Sequence, residues 1–434
     1  MHGSLYSRPM SSTTTTPAGV LHTADRTIYE VNVRQYTPEG TFDAFRAHLP
    51  RLEQLGVGIL WLMPIHPIGR VGRKGSLGSY YAASDYDAIN PEFGDEDSFR
   101  ALVDDAHARG MHVILDWVAN HTSHDHVWID AHPHRYHRDD DGNFTLPVPD
   151  WTDTYGLNYA DPTTRAGMRD AMARWIREFG IDGYRCDVAA MVPRDFWEEV
   201  IPQLRAIKPI FMLAEAEESW LHEAGFDATY AWPLGNALID MVAGKKSAGD
   251  VRAIVHEDAG IVGSDGLRMH FTTNHDWNSW EGVASDRFGP ALDAATVLTF
   301  TLPGMPLIYS GQEAGLDKAI EFFDKDEIAW RDHHHAELFR QLIALKRTEP
   351  ALRHGPGAGA IEFLDTGDTP GLIAFRRTLG ESEITVFANL SGERAAIPGG
   401  AIPGGEGLID HAGAPASAPA SLDAWGWTVL RRAR

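Results

Sequence analysis

The sequence has a single cysteine, Cys186, and few lysines, which make up only 7 of its 38 basic residues. One cysteine excludes an internal disulfide framework and a cysteine-based zinc site. The 61 acidic residues give a net charge of −23, so electrostatics does not favour binding to nucleic acid or another polyanion. We therefore expect no nucleic-acid partner.

Long apolar stretches are also missing. No run approaches the roughly 18 apolar residues that a membrane-spanning helix needs. The stretch MHGSLYSRPMSSTTTTPAGVLH at residues 1–22 lacks the apolar centre of a secretion signal. We expect a soluble, cytoplasmic protein with no membrane partner, whose polar residues 1–24 form a flexible N-terminal segment. What the chain does contain is 43% hydrophobic residues with 13 tryptophans, enough for a large core.

Short apolar runs alternate with longer amphipathic stretches from about residue 25 to residue 350. Alternation of this kind predicts parallel strands joined by helical crossovers. Eight such units favour a closed (β/α)₈ TIM barrel over an open sheet, and no GxGxxG follows the first run to indicate a dinucleotide fold. The predicted strands are 27–33, 58–64, 111–116, 183–187, 210–215, 227–232, 268–273 and 305–310. The amphipathic stretches between them predict helices, among them one over 41–55 and one near 234–256.

Two regions depart from this alternation. Between residues 120 and 158 the helical period disappears over a stretch too long for an ordinary loop, which predicts a short inserted subdomain after strand 3. Past Pro350, turns rich in glycine and proline separate short β-rich runs, which predicts a C-terminal antiparallel β-sandwich domain. The predicted division is a flexible segment 1–24, a barrel formed by 25–119 and 159–350, an insert 120–158 and a C-terminal domain 351–434.

Carboxylates stand where several predicted strands end. In a (β/α)₈ barrel these strand ends form one rim, where catalytic groups sit. Strand alternation places Arg185 and Asp187 on one face and Cys186 on the other, towards the helices. The acidic residues at this rim are Asp116, which we interpret as structural, together with Asp187, Glu215 and Asp276.

Four segments at strand ends form a recognisable set: DWVANHT (116–122), GYRCDVA (183–189), FMLAEAE (211–217) and FTTNHDW (271–277). In their order and spacing they resemble the four signature segments of glycoside hydrolase family 13, the α-amylase family. GSYYAASDYDAINPEFG (78–94) and GMPLIYSGQEAG (304–315) are similar to two further segments of that family. The resemblance covers residues 25–350, whereas the C-terminal domain matches only in general type.

The resemblance implies a catalytic role for three carboxyl groups. Asp187 would be the nucleophile, Glu215 the general acid/base and Asp276 the carboxylate that stabilises the transition state. A retaining glycosidase needs a nucleophile and an acid about 5 Å apart. An ionised Asp187 would help to keep Glu215 protonated, because a neighbouring negative charge raises a carboxyl pKa.

The resemblance also implies four residues that bind the substrate or orient the site. Tyr81, His121 and His275 would contact the sugar at the cleavage site, with Tyr81 as the aromatic platform, although Tyr80 beside it could serve instead. Arg185 would hold the nucleophile ionised and oriented.

No cofactor is expected. Many family members hold calcium between barrel and insert, but the corresponding positions here are Asn120, Gly156 and Met191, and the last two supply no side-chain oxygen. We expect this calcium site to be absent or weakened. The insert's histidines fit no known ligand spacing and are interpreted as solvated lid residues. RDHHHAELF (331–339) predicts a helix start capped by Asp332, not a metal site.

The sequence thus predicts a retaining α-glucan hydrolase that cleaves α-1,4-glucosidic bonds of maltodextrin or starch oligosaccharides through a covalent glycosyl-enzyme. Two alternatives stay open: a transglycosylase or sugar isomerase on the same scaffold, and an α-glucosidase with α-1,6 activity. Val188 after the nucleophile resembles the residue found in family members that act on α-1,6 bonds or cyclodextrins. A catalytically silent glycan-binding relative is disfavoured because all three carboxylates are present.

Overall fold

The computed structural model describes residues 19–263, 266–367, 369–397, 405–410 and 419–432. Eight parallel strands close into a barrel in the order β1-β8-β7-β6-β5-β4-β3-β2. This confirms the predicted TIM-barrel fold class. The strands are β1 Ile28–Val31, β2 Ile59–Leu62, β3 His112–Trp117, β4 Gly183–Cys186, β5 Phe211–Ala214, β6 Ala228–Tyr230, β7 Leu267–His270 and β8 Met305–Tyr309.

The barrel has two apolar layers because successive side chains of a strand point to opposite faces. Trp61, Tyr230 and other inward residues fill the interior, and Cys186 and Trp117 belong to the outer layer under the helices. Gly183 begins β4 where the chain comes very close to β5: a Cβ there would lie 1.8 Å from the Phe211 carbonyl oxygen. Only glycine fits at that contact.

The outer helices mostly follow the predicted pattern, with two differences. The helix predicted over 41–55 is two helices separated at His48, and the one predicted over 234–256 breaks at Gly244, whose φ is 71°. The second break is followed by a capping box between Ser247 and Asp250 that starts a new helix. The main helices are Phe42–Arg46, Leu49–Leu55, Glu96–Ala108, Pro162–Phe179, Arg194–Arg205, Trp232–Val242, Ala248–Val262, Leu292–Thr301 and His334–Thr348.

The insert after β3 is a small unit at the rim of the barrel. Its short strands His121–Ser123 and Thr154–Gly156 pair antiparallel, and helix Val127–Ala131 lies between them in sequence. The Ser123 amide donates to the Ala83 carbonyl at 2.9 Å, which ties the insert to the loop after β2.

The C-terminal region forms an antiparallel sheet of five strands in the order β9-β10-β11-β13-β12. A second sheet of two short strands, Ala395–Ala396 and Ser421–Leu422, shares an apolar cluster with it, giving the predicted sandwich. Arg377 ties this sheet to the barrel by donating to the Thr301 carbonyl at 2.9 Å. The five strands are β9 Ala360–Phe363, β10 Leu372–Leu379, β11 Ser382–Asn389, β12 Gly405–Asp410 and β13 Trp427–Arg432.

The sequence predicts a flexible segment at residues 1–24. Residues 1–18 of this segment lie outside the described residues. Residues 19–24 instead pack against the barrel: Val20 pairs with Ile210, and the Leu21 amide donates to the Ile210 carbonyl at 3.2 Å. Within the described part of the chain, no helix is both long and apolar enough to cross a bilayer.

Candidate active site

Arg185 is the hub of the carboxylate cluster at the rim. It is fully buried, and its Nη1 donates to Asp116 Oδ1 at 2.8 Å and to Asp187 Oδ1 at 2.9 Å. Its Nη2 lies 2.9 Å from Glu215 Oε1, a close contact without hydrogen-bond alignment. One guanidinium therefore holds three carboxyl groups, and Asp187 and Glu215 lie side by side.

The backbone fixes both acidic residues at the ends of their strands. The Asp187 amide donates to the Trp117 carbonyl at 2.9 Å, and the Glu215 amide donates to the Cys186 carbonyl at 3.0 Å. These bonds continue the parallel ladder one residue beyond the strands. The side chains consequently leave the barrel at the same height, above its apolar interior.

Burial and the neighbouring charges give Glu215 and Asp187 different pKa values. Burial raises the pKa of Glu215 to about 8, opposed by the Arg185 charge and reinforced by the charges of Asp187 and Asp276. It also raises the pKa of Asp187, less far, because Arg185 hydrogen-bonds directly to that carboxylate. Near neutral pH, Glu215 therefore keeps its proton while Asp187 is ionised.

His275 lies between the third carboxylate, Asp276, and Glu30 of strand β1. Its Nδ1 lies 2.5 Å from Glu30 Oε1, and its Nε2 lies 3.3 Å from Asp276 Oδ1. Burial lowers the pKa of His275, but the negative charges of Asp276 and Glu30 outweigh it and raise the pKa to about 9. Asn274, whose side chain caps the short helix His275–Trp280, sets the position of Asp276 in its first turn.

Tyr81, not Tyr80, faces this cluster. The Tyr81 hydroxyl donates to Asp116 Oδ2 at 2.9 Å and lies 2.7 Å from His275 Nε2. Tyr80 is buried, with its hydroxyl donating to Asn32 and the Arg34 guanidinium over its ring. Of the two tyrosines that the sequence offered, Tyr81 is thus the one that contacts the carboxylate cluster, and Asp116 is a buried support for Tyr81.

His121 approaches from the insert as a neutral imidazole. Burial lowers its pKa to about 3. Its ring centroid is 5.0 Å from that of Trp151, and its Nδ1 is 3.2 Å from the Asn120 amide nitrogen. Another insert histidine, His126, is buried and accepts from the Trp128 amide at 3.0 Å, so its interpretation as a solvated lid residue is wrong.

Sequence reasoning missed two residues of the site. Glu30 lies inside the apolar run of β1. A lone carboxylate in such a run was the feature of the sequence that could have indicated its role. Phe322 lies in the loop after β8, and its ring centroid is 6.1 Å from that of Tyr81 and 6.4 Å from that of His275. Nothing in the local sequence marks Phe322, because the loop approaches Tyr81 only in the folded barrel.

Two loops meet beside Tyr81 and enclose that side of the site. In the loop after β2, the Leu77 amide donates to the Phe323 carbonyl at 3.0 Å, and the Ser76 amide donates to Asp324 Oδ1 at 2.8 Å. Lys74 of the same loop donates to the Asp150 carbonyl of the insert at 2.9 Å. The loops after β2 and β8 and the insert thus form one continuous wall.

The residues at the family's calcium positions do not fit that ion. Gly156 has no side chain, Met191 offers only a thioether and is 45% exposed, and the Asn120 amide is turned to His121. Calcium takes six to eight oxygen ligands. A cavity of about 730 Å³ lies at the opposite face of the barrel near His354 and Leu21, away from the carboxylates.

An eight-stranded barrel with a cluster of carboxyl groups at its rim is typical of glycoside hydrolases. The chain matches the family described as "Alpha amylase, catalytic domain" over residues 9–147 and 143–355. The chain belongs to the α-amylase family, as its signature segments predicted.

Two curated relatives and one solved structure are similar over most of the chain. A cyclomaltodextrinase from Geobacillus thermopakistaniensis is 30% identical over 382 residues, which are 81% of this chain and 62% of the relative. An intracellular maltogenic amylase from Bacillus subtilis is 30% identical over 79% of this chain and 60% of its own length. An α-amylase structure from Lactobacillus plantarum superposes with a TM-score of 0.85 at 30% identity, covering 94% of this chain and 99% of that one. The chain thus spans about three fifths of the length of these curated relatives.

Proposed function

We propose that the protein is a retaining α-glucan hydrolase that cleaves α-1,4-glucosidic bonds of maltodextrins. The observation that carries this proposal is the contact of Asp187 and Glu215 with one buried guanidinium, together with their different protonation. A retaining enzyme needs close carboxyl groups, one ionised and one protonated, whereas an inverting enzyme needs room between them for a water.

In the first step, Asp187 attacks the anomeric carbon while the protonated Glu215 gives its proton to the leaving glycosidic oxygen. A covalent glycosyl-enzyme forms at Asp187, and the remainder of the glucan leaves as an alcohol. In the second step, the Glu215 carboxylate takes a proton from water, whose oxygen attacks the anomeric carbon and releases Asp187. Both residues then return to their starting charge.

Three neighbouring residues would support the charge that develops on the sugar ring. The Asp276 carboxylate offers negative charge to an oxocarbenium-like transition state. His275, held protonated by Glu30 and Asp276, offers a charged donor to sugar hydroxyls. Tyr81, held by Asp116, offers an aromatic face to the apolar side of the sugar ring.

The wall beside Tyr81 supports action on short oligosaccharides or chain ends. We propose that these joined loops limit the number of sugar units on that side, so that the site acts at the end of a chain. The names of the relatives, a cyclomaltodextrinase and a maltogenic amylase, agree with a maltodextrin substrate. We propose that α-glucan oligosaccharides are the partner of this site and that no calcium is required.

The test follows maltoheptaose by proton NMR and product chromatography, with Glu215→Gln as the control. We expect the new reducing ends to appear first as the α-anomer. We also expect the early products to be short oligosaccharides of only a few different lengths. Early β-anomer would contradict retention, and a ladder of all lengths would contradict chain-end action. Products longer than maltoheptaose would show that glycosyl transfer, and not hydrolysis, is the main reaction.

A further inference from the structure

A histidine cluster outside the catalytic site combines with one carboxylate. The rings of His333, His334 and His335 lie at mutual centroid distances of 4.3–4.4 Å. One nitrogen from each lies within 4.8 Å of the others. Asp293, at the start of helix Leu292–Thr301, faces two of these rings, so three imidazoles and one carboxylate converge between two helix starts.

The predicted cap at this helix start is wrong. His333, not Asp332, is the N-cap of helix His334–Thr348, because its Nδ1 accepts from the His335 amide at 3.3 Å. That bond leaves Nε2 of His333 available.

The Gln312 carbonyl orients His335 so that its second ring nitrogen points at the Asp293 carboxylate. Its Nδ1 lies 3.3 Å from the Gln312 carbonyl oxygen, which can only accept a proton. Its Nε2 then faces Asp293 Oδ1 at 2.8 Å, and His334 Nε2 lies 3.1 Å from Asp293 Oδ2. Either a proton on each ring or one shared cation can bridge these groups, and a carbonyl on the far ring nitrogen is the usual outer partner of a metal-binding histidine.

We propose that His333, His334, His335 and Asp293 form a binding site for a divalent transition-metal ion, with Zn²⁺ as the fitting ion. Imidazole and carboxylate ligands suit zinc, whereas calcium and magnesium require oxygen ligands. A zinc tetrahedron with bonds of about 2.0–2.1 Å has edges of about 3.3–3.4 Å. The separations from Asp293 to His334 and His335, 2.8–3.2 Å, are shorter than this, so the side chains would move slightly apart to hold the ion. His334 is 62% exposed and free to rotate into the site.

The surroundings allow entry of an ion and connect the site to the barrel rim. A solvent-open cavity of about 330 Å³ is lined by the four ligand residues together with Thr273 and Gln312. Arg331, the nearest cation, pairs with Asp317 at 2.8 Å, which offsets its charge. Gln312 also donates to Thr272 at 3.0 Å, so metal binding would brace the loops after β7 and β8.

The test uses the whole protein without a polyhistidine tag, freed of metal by chelator and then returned to chelator-free buffer. Titration with ZnCl₂ in a calorimeter should give one site per chain and raise the thermal midpoint by about 3 °C in excess metal. Co²⁺ should give the visible absorption of a tetrahedral nitrogen-ligated ion. His334→Gln and Asp293→Asn should each weaken binding at least about tenfold.

The matched control is the double variant His132→Gln, His134→Gln. These insert histidines also lie side by side, with ring centroids 5.9 Å apart, and their replacement should leave zinc affinity unchanged. Equal binding in wild type and His334→Gln, or loss of binding in the control, would overturn the proposal. So would the absence of binding at 100-fold excess metal. Glycosidase activity is measured separately, so failure of this site leaves the proposed function intact.

Discussion

The Val188 amide donates a hydrogen bond of 2.8 Å to Glu215 Oε2, and Val188 makes this bond from the left-handed region, with φ at 36° and ψ at 48°. A β-branched residue rarely adopts that conformation. The strained backbone follows Asp187 directly and points an N–H at the neighbouring acid. The strained backbone thus directs the Val188 N–H at the Glu215 carboxyl group, next to the Asp187 carboxyl group.

Substitution at Val188 should reverse the usual order of alanine and glycine. Glycine normally destabilises relative to alanine by about 0.5–1 kcal/mol, but a left-handed backbone costs a residue with a Cβ about 1–2 kcal/mol. We expect Val188→Gly to be more stable than Val188→Ala by up to about 1 kcal/mol in urea unfolding. The usual order, with alanine more stable, would show that this backbone is not strained in solution.

Glu215→Gln should lose activity in a way that depends on the leaving group. On maltotriose, loss of the general acid should lower kcat by about 10³-fold. On α-maltosyl fluoride, whose leaving group needs no proton, the variant should still release a stoichiometric burst of fluoride. Asp187→Asn is the matched control and should show no burst, because it cannot form the covalent intermediate. Equal bursts in both variants would contradict the assigned roles.

Glu30→Gln should shift the basic limb of activity to lower pH. In the wild type, the charges of Asp276 and Glu30 raise the pKa of His275 to about 9, while Glu215 loses its proton near pH 8. Removing the Glu30 charge lowers the pKa of His275, so this donor loses its proton at a lower pH than in the wild type. The measurement is kcat/KM against pH, and an unchanged basic limb would contradict the link.

The same residue makes a linked prediction for stability. Because the folded pKa of His275 is raised above its unfolded value, its contribution is fully present below about pH 6.5 and is lost as pH rises through about 9. Glu30→Gln should therefore remove part of the fall in unfolding free energy between these two values. Urea unfolding at pH 6 and pH 9 gives the difference.

Phe322→Ala should weaken substrate binding by loosening the rings it packs against. Stacking contacts of this kind contribute about 0.5–1.5 kcal/mol, so we expect KM for maltotriose to rise about 3- to 10-fold with a smaller change in kcat. Phe323→Ala is the matched control, since its ring contacts Phe322 and Trp280. A larger KM effect in Phe323→Ala would argue against the role of Phe322.

Calcium should not stabilise the protein. Gly156 and Met191 bring no oxygen side chain to the family's calcium positions, so CaCl₂ added to metal-free protein should leave the thermal midpoint unchanged. ZnCl₂ added to the same sample is the positive control. A rise of several degrees with calcium, retained in Asn120→Ala, would reveal a site built from other residues.

Local sequence was sufficient for the eight strands of the barrel and for the rim on which Asp187, Glu215 and Asp276 stand. Apolar runs of strand length separated by amphipathic helices leave few topologies, and parallel strands bring their carboxyl ends to one edge. The alternation within β4 likewise placed Arg185 inward and Cys186 outward. Predictions based on longer helices were less accurate at His48 and Gly244, because caps and single glycines interrupt a periodic pattern.

Contacts between distant segments were decided only by the tertiary structure. Glu30 reaches His275 across 245 positions, and the packing of Phe322 on Tyr81 depends on how two loops meet above the closed barrel. The choice of Tyr81 over Tyr80 and the cap at His333 depend on which neighbour reaches each side chain. The sequence by itself determined the elements and the chemistry at their ends, because period and residue type are local. Only the fold determined which charges share a desolvated space, because burial and distance are properties of the packed chain.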